Sequence, residues 1–285
     1  MKEADFVMKP YEVLNETIKF ANKQLNDYKQ SSDFKNAAES NDVSTVVITA
    51  LYRKIIELCE GVRVSGANGL KGPATLNYRG LLEAWLALKF IVQDDSLLEN
   101  RAKVYKIGYH KQQIEAVKQA KSNGWITDQR RESLDNAIKY HKEQLEIEEL
   151  QDALDEYNKL QASDKRGYLP NWHALYKGEK SINALAKKLS SEDNLDKNLM
   201  ATLYSFLSVD SHNYMALSAI SKEGENLTIK PIRAKFDCNI DEYNFIGTRS
   251  LLLSAIEIFT NLKYPDYNEL KRSFLIHIKP HLNYN

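Results

Sequence analysis

Two stretches of this sequence set ionisable and hydroxyl side chains into segments that are otherwise apolar. In 79-RGLLEAWLALKFIV-92, Arg79 and Glu83 stand four residues apart, on one helical face with Leu86 and Phe90. In 199-LMATLYSFLSVDSHNYMALSAI-220, Tyr204, Ser208 and His212 follow at four-residue steps, with Ser211 beside them and Met215 closing the row. Such steps bring side chains to one side of a helix. A charge on an inward face costs free energy unless a partner satisfies it, so these positions predict either a polar network that fixes helix packing or a site.

As a site, the residues divide the work of phosphate chemistry. The planar guanidinium of Arg79 suits a phosphate or another oxyanion, with Glu83 holding it in place. The imidazole of His212 can take a proton from a hydroxyl and return it to a leaving group. Ser208 lies one turn before it, but neither an oxyanion hole nor a nucleophile elbow accompanies that serine. The plainer reading of the same residues is a structural Arg79–Glu83 ion pair and a hydrogen-bonded core histidine.

Other polar residues offer less. His277 and His281 have the spacing of helical metal ligands, yet Pro280 lies between them and no acidic or cysteine partner is near, so no metal is expected. His110 and His141 fall in charged helices and are expected to face solvent. Cys59 and Cys238 stand in unlike contexts and support neither a disulfide framework nor a cysteine metal site. The segment 66-GANGLKG-72 lacks the spacing and the preceding strand of a nucleotide-cradling loop, and no cofactor is implied.

The elements that must position these groups are helices. Only 6 prolines and 11 glycines occur in 285 residues, too few for a turn-rich β architecture. Residues 1–40 read as an N-terminal helical arm, and 41–285 as a single helical domain. Asp42 caps a helix over 43–62, and the most apolar helix, about 74–93, is expected at the centre. A helical excursion follows over about 97–161, its second half a long charged helix from Thr127 that projects as one arm of an exposed antiparallel pair. A loop over 162–181, a short helix over 182–190 and the Tyr204 helix come next. A small β-hairpin near 226–236 and final helices over about 240–262 and 266–279 complete a mainly all-α bundle.

The 39 basic and 39 acidic residues cancel, so a nucleic-acid partner would have to be held by a local patch. No apolar run reaches membrane-spanning length, and a cytoplasmic protein is expected.

The stretches 79-RGLLEAWLALKFI-91, 171-NWHALYKGEKSINALAKKL-189 and 204-YSFLSVDSHNYMAL-217 resemble the bacterial domain of unknown function 5677 family, a helical group similar to HEPN proteins. The resemblance covers roughly residues 45–260 and implies a HEPN-like helical bundle. HEPN ribonucleases cut RNA without metal, using Arg and His four to six residues apart, commonly across a dimer. Arg166 and His173 meet that spacing, but Gly167 and Pro170 break the helix it needs, which leaves Arg79 and His212 as the better pair. The expectation is a bacterial stress or phage-defence effector acting on RNA or a nucleotide through Arg79, Glu83, Tyr204, Ser208 and His212. The alternative is a non-catalytic interaction protein with that cluster as a polar network. Its partners would be a second copy or another protein bound through the charged helices.

Overall fold

The computed structural model describes residues 9–40, 42–122, 127–192, 198–237 and 241–264. Its centre is the antiparallel pair α3 (Val43–Ala67) and α4 (Lys71–Val92). The Asp42 carboxylate accepts the Thr45 backbone N–H at 3.0 Å and so caps α3 as its sequence predicts. The turn between the helices needs glycine: Gly69 has φ 70°, and a Cβ there would lie 2.2 Å from the Ala234 carbonyl oxygen. Leu81, Leu82, Leu86, Leu88 and Ile91 of α4 are buried completely or nearly so, which makes α4 the expected core helix.

Helix α1 (Pro10–Gln30) packs against α3 and against α10 (Phe245–Lys263) instead of standing apart as an arm. It buries Val13, Leu14, Ile18 and Ala21, and its polar interior residues are paired. Gln24 donates to Thr260 Oγ1 at 2.7 Å and accepts from Tyr52 OH at 2.5 Å. Helix α2 (Ser32–Glu39) closes this corner.

The excursion differs from expectation in one joint. Helix α5 (Leu98–Lys121) lays its first half on α3 and α4, and α6 (Asp128–Leu145) packs on α5, but the charged helix breaks there. A 3₁₀ turn over Glu148–Leu150 redirects the chain into α7 (Gln151–Ser163), which returns to α5. The Gln151 amide donates to the Leu145 and Ile147 carbonyls, both at 2.9 Å, and Leu150 is wholly buried. Side-chain capping and an apolar anchor thus take the place of one more helical turn.

Helices α8 (Ile182–Glu192) and α9 (Leu199–Ser211) lean on α4, and a 3₁₀ segment (Tyr214–Ala219) leads into the only sheet among the described residues. Strands β1 (Ile220–Glu223) and β2 (Asn226–Ile229) turn at Gly224, which has φ 63°. The hairpin therefore begins earlier than 226. The last helix expected from the sequence, 266–279, lies outside the described residues. The protein is mainly all-α.

Candidate functional site

Arg79 joins α4 to α9. Its Nη1 donates to Ser211 Oγ, its Nη2 donates to the Tyr204 hydroxyl at 3.2 Å, and its guanidinium carbon lies 5.3 Å from the centre of the Tyr204 ring. Its Nε lies 3.3 Å from Glu83 Oε1. That nitrogen is buried and makes no well-aligned hydrogen bond, so the pair is held by charge attraction without a directed N–H bond. The serines of α9 spend their protons on backbone: Ser208 Oγ donates to the Tyr204 carbonyl at 2.8 Å and Ser211 Oγ to the Ser208 carbonyl at 2.9 Å. A hydroxyl committed to the preceding turn is a poor nucleophile.

His212 does not join this cluster. Helix α9 ends at Ser211, His212 occupies its C-cap, and Asn213 adopts the left-handed conformation with φ 61°. The His212 side chain is exposed, and among the described residues it has no hydrogen-bond or ion-pair partner. Met215 sits beyond the helix in the 3₁₀ segment. The inward row thus holds for Tyr204, Ser208 and Ser211 and stops there. Asparagine is the commonest non-glycine residue able to end a helix in this way.

The imidazole that does meet the cluster's surroundings is His173. A cleft of about 610 Å³ runs between α3, α4, α9 and the loop around 171–182, lined by Lys54, Glu83, Tyr105, Trp172, His173, Lys180 and Tyr204 among others. His173 is 4% exposed. Its Nδ1 lies 2.5 Å from the Glu179 carbonyl oxygen, which can only accept, so Nδ1 carries the hydrogen and Nε2 keeps the free lone pair. Burial holds the imidazole below its ordinary pKa and keeps it neutral near pH 7.

The loop carrying His173 is wound tightly. Tyr176 and Lys177 take left-handed φ values of 53° and 64°, and a Cβ on Gly178 would fall 1.9 Å from the His173 carbonyl oxygen. Each left-handed non-glycine residue costs roughly 1–2 kcal/mol. Arg101 of α5 offsets part of that: fully enclosed, it donates to the Tyr176 carbonyl at 3.2 Å and to the Phe90 carbonyl at 2.6 Å, with its guanidinium 4.1 Å from the Phe90 ring centre. Sequence did hold a signal for Arg101, which shares the apolar spacing of Val104 and Ile107. His173 had only its spacing to Arg166, set aside because Gly167 and Pro170 break the helix, and a loop has no periodicity to read.

Outside this cleft, His110 and His141 are 4% and 8% exposed, with their Nδ1 atoms 2.9 Å apart. The expectation that they face water is corrected: the α5–α6 seam closes over them, flanked by the rings of Tyr109 and Tyr140. Among the described residues no group of three or more His, Cys, Asp or Glu converges on a metal position. Cys59 is buried, and Cys238, His277 and His281 lie outside the described residues. No described helix is long and apolar enough to cross a membrane.

Comparison with known proteins gives no significant match to a curated protein or to a solved structure. Residues 45–226, which hold both the Arg79 cluster and the His173 cleft, match the profile of a family of unknown function, DUF5677. The chain belongs to that family.

Proposed function

We propose that the cleft receives a nucleotide or the end of an RNA strand, and that His173 serves there as the proton acceptor that the sequence had suggested in His212. The aromatic surface of Trp172, Tyr105 and Tyr204 suits a planar base, and Lys54 and Lys180 at the same cleft suit phosphate. A volume of about 610 Å³ is in the range of small-ligand sites. The observation that carries this reading is the meeting, in one cleft, of aromatic walls, two lysines and a buried neutral imidazole with an unprotonated nitrogen. In RNA cleavage without metal, Nε2 would take the 2′-hydroxyl proton, O2′ would attack phosphorus to form a cyclic phosphate, and the P–O5′ bond would break, the departing O5′ taking a proton from water while the imidazolium returns its own to solvent. The stress or phage-defence role, which rests on the HEPN likeness, and the cytoplasmic location, expected from the sequence, belong to the same proposal.

The test is calorimetric titration of the full chain with mononucleotides and short single-stranded RNA. The wild type is expected to bind, and Lys54→Ala/Lys180→Ala to weaken binding by about tenfold with a flatter salt dependence. If the wild type binds none of these ligands, the reading is lost. Cleavage is scored separately with His173→Asn.

A second reading has its own observation. The Arg79 guanidinium is already engaged by Ser211, Tyr204 and Glu83, as a packing clamp between α4 and α9 would be. On this reading Arg79→Ala lowers stability by about 1–3 kcal/mol while leaving ligand binding unchanged.

A further inference from the structure

The β1–β2 hairpin is built inside out. Its register pairs Ile220 with Ile229 and Lys222 with Leu227, which places Ile220, Leu227 and Ile229 on one face. That face is the wet one: the three residues are 42%, 75% and 78% exposed. On the other face the hydroxyls of Ser221 and Thr228 bond to each other at 2.7 Å, and both residues are half-buried. An antiparallel hairpin with one face in water ordinarily turns its polar side outward. In the chain flanking the hairpin, Tyr214, Leu217 and Ile232 are 75%, 80% and 90% exposed. Large exposed apolar side chains gathered on and beside one hairpin mark an interface.

We propose that this face is the contact between two copies of the chain. Three features favour a second copy over another occupant. Six large apolar side chains at these exposures offer several hundred Å², approaching the ~800 Å² a side of a standard stable interface. The sheet has two strands only, so each strand keeps an outer edge with no strand beside it among the described residues. An identical hairpin related by a two-fold axis can meet such an edge antiparallel, with like residues in matching register. Finally, charges of both signs accompany the face, with Lys222 on it opposite Leu227 and Glu225, Lys230 and Arg233 nearby in the chain, so a rotated copy can set acid against base. This surface is distinct from the charged helices, where the sequence reading places a partner.

The experiment is sedimentation equilibrium of the full chain from low micromolar to several hundred micromolar. The wild type is expected to pass from monomer to dimer, and Leu227→Glu/Ile229→Glu to weaken self-association by about a hundredfold or more, as loss of a hot-spot pair does. Both positions are more than three-quarters or about three-quarters exposed, so an unchanged melting temperature and helical circular dichroism should accompany the loss. Ile232→Lys, outside the hairpin, should act in the same direction should the double variant fold poorly. A wild type that stays monomeric throughout, including one that binds lipid vesicles or another protein as a monomer, overturns the proposal. So does a dimer that survives these substitutions.

Discussion

Two imidazoles facing each other across 2.9 Å can share one proton and no more, because a second would set two donors nose to nose. In His110 burial, then the neighbouring His141, then the positive Lys106 drive the pKa down to about 4. In the unfolded chain the same group titrates near 6.5. Between these values the unfolded chain binds more protons than the folded one, so stability rises with pH. The contribution is complete above about pH 6.5, fades as pH falls through the window, and is gone below about 4. A displacement of that size corresponds to at most roughly 3 kcal/mol. Burial lowers His173 as well and adds in the same direction. Melting temperature measured from pH 7 to 4.5 should therefore fall, and His110→Gln should fall less steeply. Parallel slopes for the two proteins would show that the pair is not responsible.

Where helices stop decides which of these side chains can cooperate. Asn213, in the left-handed region, ends α9 and turns His212 out of the Arg79 row. Asn213→Ala should cost about 1 kcal/mol, and Asn213→Gly should be neutral or slightly stabilising, read as shifts in denaturant midpoint at constant slope. Loss of less than a few tenths of a kcal/mol in the alanine variant would mean that this turn relaxes without strain. The same logic separates what the chain's pattern discloses from what it hides. Asp42 before a β-branched apolar run, and the nearly continuous apolar run of α4, announce α3 and α4 directly, since capping and burial act over a few neighbouring residues. The break between α6 and α7 is invisible to periodicity, because it depends on Gln151 reaching two carbonyls and on Leu150 finding the core. Arg79, Glu83 and Tyr204 were readable from their spacing. His173 was named only through its spacing to Arg166 and set aside, because its setting is made by Arg101, seventy-two residues earlier in the chain, and by a loop whose left-handed residues are not glycines.

The molecule as a whole is unevenly anchored. Helices α1, α3, α4 and α10 share one aromatic and aliphatic core, in which Tyr52 and Phe259 stack at 4.2 Å and Trp85 donates to Ser254 at 3.1 Å. Helix α6 packs chiefly on α5 and buries only His141 and Leu145. Few buried apolar contacts mean a low local opening free energy, so α6 can detach while the core stays folded. Amide exchange should consequently be fast through Asp128–Leu145 and slow in α3, α4 and α10, where it requires global unfolding. Because the His110–His141 pair ties α5 to α6, beside the Lys121–Asp135 ion pair, the two effects are linked. Lowering the pH from 7 to 5 should reduce α6 protection, after correction for intrinsic rates, by more than it reduces protection in α4. His141→Gln should abolish most of that difference. Equal protection across α4 and α6, or a pH response shared evenly by both, would mean that α6 is fastened by contacts other than the imidazole pair and Leu145.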